Sequence, residues 1–134
     1  MKITEKRSKF AYNVSELIRY AFICGFEVVL GEAQRLPDVQ LLYYHNMRIQ
    51  GDKDNIKLVK VDKTNTTTLN SKHIDLLAID LEFFKDGIWI NGLPTEKAKE
   101  IIAPIGEYWE SLSTECKWGG NFSKLIDVPH FQMY

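Results

Sequence analysis

Apolar positions first recur at helical spacing in Val14, Leu17, Ile18, Ala21 and Phe22. Asn13-Val14-Ser15-Glu16 reads as a capping box at the head of that helix, with Asn13 as the cap, and Gly25 reads as its stop. Phe26 to Leu30 is a β-branched and aromatic run, so a strand. Pro37 suits the first turn of a second helix reaching Met47, with Val39, Leu42 and Tyr43 on one face. Gln50 to Asn70 is polar and reads as a long loop, interrupted by a weak strand of Ile56, Leu58, Val59 and Val61. Leu77 to Phe84 is apolar with Asp80 embedded. Lys85-Asp86-Gly87 is a turn signal and Ile88-Trp89-Ile90 a returning strand. Thr95 to Leu112 reads as a helix that Pro104 kinks or splits, with Ile101, Ile102, Ile105, Tyr108 and Trp109 in the core. Pro129 to Met133 closes the chain as a strand. The pattern predicts an α+β domain spanning residues 1–134, with helices packed on an antiparallel sheet.

Composition narrows the function. The 134 residues are 45% hydrophobic and 12% aromatic, enough for one real core. A formal charge of -1 argues against nucleic acid as the main partner, because phosphate neutralisation needs an excess of lysine and arginine. No run of about 18 apolar residues is present, so membrane insertion is not expected. Met1 to Arg7 is charged, with no apolar stretch or cleavage signal behind it, which predicts synthesis in the cytoplasm without a signal peptide. Cys24 and Cys116 fit no zinc-ribbon spacing and read as two buried free thiols.

The chemistry gathers in two blocks. Ser71-Lys72-His73 leads to Asp80, an aspartate inside an apolar strand, where an unpaired carboxylate is costly. Asp127-Val128-Pro129-His130-Phe131 lies close to the end of the chain, behind Trp118-Gly119-Gly120. Two imidazoles and one carboxylate suit a catalytic zinc ion with its fourth position open to water, and the other carboxylate can serve as general base. The pattern is not the helical His-Glu-x-x-His signature. Glu32 and Arg35 fall at a strand-to-helix junction, where they either form a surface ion pair or point into a cleft. His45, with no ligand-type neighbour at a useful spacing, reads as structural or exposed, and Asp75 as solvated.

Ser71, His73, Ala78 and Asp80 match in register the Ser-x-His-x-x-Gly-x-Ala-x-Asp pattern of the VanY-like zinc peptidases. Trp118-Gly119-Gly120, Asp127, Pro129, His130 and Phe131 match their C-terminal pattern, and Glu32, Arg35, Gln40 and Tyr44 the upstream one. The chain departs from the family at Leu76, where glycine is usual, and at Asn121 and Phe122, where Asp-Trp is usual. The resemblance implies a hedgehog/D-Ala-D-Ala peptidase-like fold with Zn2+ in the cleft, held by His73, Asp80 and His130. It implies Asp127 as base and Arg35 as the group that stabilises the oxyanion or holds a substrate carboxylate. Ser71, Glu32, Gln40 and Trp118 would support the site or touch substrate. The activity implied is hydrolysis of peptidoglycan stem peptides at the L-alanyl-D-glutamate bond, by a monomeric phage or prophage endolysin that a holin releases to the cell wall. The alternatives are a D-alanyl-D-alanine carboxypeptidase with the same site and a non-catalytic zinc-containing binding domain.

Overall fold

The computed structural model describes residues 1–62, 68 and 70–134. Helix α1 (Ile3–Ile23) leads into strand β1 (Glu27–Leu30), helix α2 (Pro37–Tyr44) and the hairpin β2 (Met47–Asp52) and β3 (Asn55–Lys60). Strand β4 (Ala78–Lys85), the short β5 (Ile88–Trp89), helix α3 (Thr95–Leu112), β6 (Cys116–Trp118) and β7 (His130–Met133) complete the chain. The main sheet is antiparallel, in the order β1-β4-β7-β6, with β5 pairing the far end of β4.

Strand β4 shows why one face of this sheet is a core and the other a site. Ile79, Leu81 and Phe83 alternate with Asp80, Glu82 and Phe84, and a period of two sends them to opposite faces. Leu81 and Phe83 are fully buried, together with Ile102, Ile105 and Trp109 of α3 and Leu17 and Ala21 of α1. Phe131 of β7 joins them through edge-on contacts with Phe83 and Trp109 at 6.0 Å. Stacking of Tyr20 on Tyr108, at 4.0 Å between centroids, ties α1 to α3.

Several elements differ from the reading of the sequence. Helix α1 begins ten residues before Asn13, its first turn closed by the Glu5 carboxylate accepting the Lys2 amide at 2.9 Å. Asn13 is therefore not a cap: it is buried inside the helix and donates toward Cys116 Sγ and Met133 Sδ. Helix α2 ends at Tyr44, three residues short, and Met47 already belongs to β2. The polar stretch after it holds a complete hairpin whose turn is fixed by Asp52 Oδ1 accepting the amides of Asp54 and Asn55. Its strands are almost wholly exposed, so burial left no alternating pattern to read. The Thr64-to-Thr67 part of the expected loop lies outside the described residues. Helix α3 runs unbroken through Pro104, which lies exposed, so the amide bond it removes would have been on the wet side. Strand β6 was not anticipated, and Cys24 is half-buried rather than buried.

Candidate metal centre

His73 sits in a one-turn helical fold. The Leu77 amide bonds the Lys72 carbonyl at 3.0 Å and the Leu76 amide bonds that of His73 at 3.4 Å, the two bonds of a Schellman closure. Leu76 occupies the position that closure reserves for a left-handed residue, with φ of 57°. Leucine thus adopts the backbone that the family's glycine would take freely. The turn is held from outside by Arg7 Nε, which donates to the Asp75 carbonyl at 2.8 Å, and by the Arg35 amide on the His73 carbonyl at 3.1 Å.

His130 opens β7 directly opposite Asp80 on β4. The loop leading into it is pressed against Gly119: a Cβ there would lie 2.1 Å from the Asp127 carbonyl oxygen and 2.9 Å from His130 Cβ. That close approach is the reason for glycine. Gly120 gives the Trp118 ring its room in the same way. Trp118 is itself buried and donates its indole N–H to the Val128 carbonyl at 2.8 Å, so it supports the 127–130 segment and does not line the cavity. Phe122, where the family has tryptophan, still packs on His130 with centroids 5.7 Å apart.

His73 Nε2 and His130 Nδ1 lie 3.3 and 3.4 Å from the same oxygen, Asp80 Oδ1, and the three ligand atoms all fall within 4.8 Å of one another. The remaining ring nitrogens have acceptors. His73 Nδ1 faces the Ala33 carbonyl at 3.1 Å and His130 Nε2 faces Gln132 Oε1 at 2.8 Å. In those tautomers both rings turn lone pairs, not protons, toward a buried carboxylate oxygen that has no hydrogen-bond partner. A cation resolves that clash of lone pairs. The edges of a tetrahedron with bonds of about 2.0 Å measure about 3.3 Å, so the donor set and its spacing fit a metal ion.

Without a metal the same pocket can hold its positive charge as protons: burial pushes the Asp80 carboxyl up, but His130 and His73, once protonated toward it, hold it well below the usual carboxylate range. Burial would lower His130, yet Asp80 and Gln132 raise it. Asp127, whose Oδ2 lies 3.9 Å from His130 Nδ1, is raised, chiefly by burial. It remains outside the three-ligand group and lines the adjoining cavity.

That cavity, about 560 Å³, is also lined by Arg35, Ser71, Lys72, Glu82 and Lys124. Arg35 is largely buried: it pairs with Glu32, donates to Gln40 Oε1 at 2.7 Å and stacks on Tyr43. Its Nε has no hydrogen-bond partner among the described residues. Glu32 and Gln40 do not line the cavity but hold Arg35, and Gln40 also bonds the Thr68 carbonyl. Of the Glu32–Arg35 pair, Arg35 belongs to the cavity wall and Glu32 holds it from behind. His45 and Asp75 are exposed, as expected. Sequence reasoning passed over Gln132, although it stands two residues after His130 on one strand and so on the same face.

The antiparallel sheet thus brings two imidazoles and a shared carboxylate together beside a cavity that also holds Asp127, a group that could hold a metal ion. Residues 64–133 match the family model described as D-alanyl-D-alanine carboxypeptidase, and the chain belongs to that peptidase family. The crystal structure of the Serratia marcescens L-Ala D-Glu endopeptidase ChiX shares its fold, with a TM-score of 0.61 at 18% identity over 100% of this chain and 87% of that one. No curated protein matches the chain.

Proposed function

We propose that the chain is a zinc-dependent peptidase that hydrolyses the L-alanyl-D-glutamate bond of peptidoglycan stem peptides. The observation that carries this reading is the buried Asp80 oxygen, facing two imidazole lone pairs beside a cavity with a second carboxylate. His73, Asp80 and His130 would hold the ion, leaving a position open. Bound there, zinc supplies Lewis acidity and a water ionising near pH 7. Asp127, beside His130 on the cavity wall but outside the three-ligand group, would take a proton from the attacking water and return one to the leaving amine. Arg35 is pre-set by Glu32, Gln40 and Tyr43 and lines the cavity, where its guanidinium would meet a substrate oxygen.

The endopeptidase bond is preferred because Glu32-x-x-Arg35 and the Trp118-Gly119-Gly120 block resemble that branch of the family, and the ChiX likeness in fold is compatible with it. The same resemblance supports an endolysin setting with holin-dependent release. The family description keeps D-alanyl-D-alanine carboxypeptidase as the second reading. The deciding experiment is a mass-spectrometric digest of purified peptidoglycan with and without a chelator. Chelator-sensitive cleavage between L-alanine and D-glutamate is expected. Release of terminal D-alanine would move the assignment to the carboxypeptidase, and no cleavage by the zinc-loaded protein would end the peptidase reading.

A further inference from the structure

On the site face of the sheet, Asp80 is followed by Glu82 and then Phe84, each two residues further along β4. Trp89 on β5 pairs with Phe84 and so stands on the same face. Its indole N–H reaches back to Glu82 Oε2 at 2.6 Å, and Glu82 lines the cavity that holds Asp80 and Asp127. The ring also rests on Gly92: a Cβ there would meet Trp89 Cε3 at 2.3 Å, so only glycine lets the indole settle. The turn beneath is clamped by Asn91, whose Oδ1 accepts the Phe83 amide at 2.7 Å. Yet Trp89 remains 52% exposed, whereas Trp109 and Trp118 are buried. Across β4 from Glu82 stands Val29, itself exposed. What sets this indole apart is that its edge is bonded to a cavity-lining carboxylate and one side rests on Gly92, while the other side is open to water.

We infer that Trp89, with Glu82 beside it, is a platform for a sugar ring of the glycan strand, continuous with the peptide cavity. A pyranose offers an apolar face of C–H bonds to the indole and hydroxyl donors to a carboxylate. Glu82 keeps a second oxygen to accept one. The placement suits the bond proposed above. In peptidoglycan the L-alanine is joined to the sugar through a lactyl link, so the first ring follows the scissile bond by about two residue-lengths, roughly 7 Å. Glu82 stands two strand residues from Asp80, again about 7 Å, while the Trp89 backbone, opposite Phe84, stands four away, about 13 Å, with its indole edge reaching back to Glu82. The first ring would therefore meet Glu82 and the near edge of the indole. The inference thus rests on the endopeptidase reading for its geometry, while the platform can be tested without catalysis.

Intrinsic tryptophan fluorescence is titrated with a β-1,4-linked N-acetylglucosamine tetramer, using the full chain. With Trp109 and Trp118 buried, the signal change reports Trp89. A saturable change is expected in wild type and in Glu82→Gln with weaker affinity, and none in Trp89→Ala. In parallel, KM and kcat are compared on glycan-linked stem peptide and on the same peptide without sugar. Trp89→Ala is expected to raise KM about three- to tenfold on the glycan-linked substrate alone, and Trp89→Phe, which keeps a stacking ring, to restore most of it. No fluorescence change in wild type, or equal losses on both substrates, would overturn the platform. If wild type cleaves neither substrate, the peptidase reading fails, and the saccharide titration still decides the platform on its own.

Discussion

Gln132 Oε1 lies 2.8 Å from His130 Nε2, and this contact decides which ring nitrogen of His130 faces Asp80. Two residues apart on β7, the pair shares one strand face. The glutamine carbonyl takes the Nε2 proton, and Nδ1 is left as the ligand. Removing that acceptor frees the ring to rotate or change tautomer. Gln132→Ala is expected to weaken zinc affinity about 10- to 100-fold, read by competition with a chromophoric chelator. Unchanged affinity would show that packing alone, by Phe122 for instance, orients His130.

Asp127 is expected to separate binding from chemistry. It stands beside His130 but outside the three-ligand group. Asp127→Asn should keep the bound metal, measured by elemental analysis, while kcat falls by about 100-fold or more. Loss of the metal with the activity would recast Asp127 as a ligand.

Leu76 carries a backbone cost. A non-glycine residue in the left-handed region costs about 1–2 kcal/mol, against about 0.5–1 kcal/mol for the extra unfolded freedom of glycine. Leu76→Gly is therefore expected to raise stability by about 0.5–1 kcal/mol, seen as a higher midpoint in thermal unfolding of the metal-free protein. A lower midpoint would mean that packing of the half-buried side chain outweighs the strain.

These residues show what the sequence made legible and what it did not. That His73, Asp80 and His130 would gather was legible mainly through the family motifs, spacing alone being only suggestive, and an aspartate in an apolar strand asks for a partner. Strand β4 was readable because an apolar run ends there in the Lys85-Asp86-Gly87 turn signal. The start of α1 was not, because Asn13 resembles a cap while serving as a buried donor to two sulfurs. The β2–β3 hairpin escaped because it rests on backbone pairing and a turn, with little burial. Gln132 and the Ala33 carbonyl escaped because a contact that fixes a tautomer exists only once strands are in register.

The two cysteines should differ sharply. Cys116 is fully buried, and burial pushes its thiol up to about 11, against the bond from Asn13. Cys24 is half-buried. At pH 8 a thiol of that kind is roughly one part in a thousand thiolate, so a disulfide reagent is expected to label one thiol in the native chain and two after denaturation. Because the folded state raises the pKa, the buried thiol's contribution to stability is full below the ordinary thiol range. It is lost as pH rises through about 11. Two fast-reacting thiols at pH 8 in the folded protein would contradict the packing of Asn13, Cys116 and Met133.

The last strand should prove indispensable to folding as well as to metal binding. Strand β7 is central, hydrogen-bonded to β4 on one side and β6 on the other. It also carries Phe131 and Met133, both fully buried. Emptying those two positions alone costs roughly 5–10 kcal/mol, which rivals the whole stability of an ordinary domain. Deleting residues 130–134 is therefore expected to abolish the cooperative thermal transition altogether. His130→Ala should keep a cooperative transition while losing the metal, because it removes a ligand and leaves the strand paired. Circular dichroism melts of the two variants make the comparison. A cooperative melt from the deleted chain would show that β4 and β6 can close the sheet without β7, and would return the role of this segment to metal binding alone.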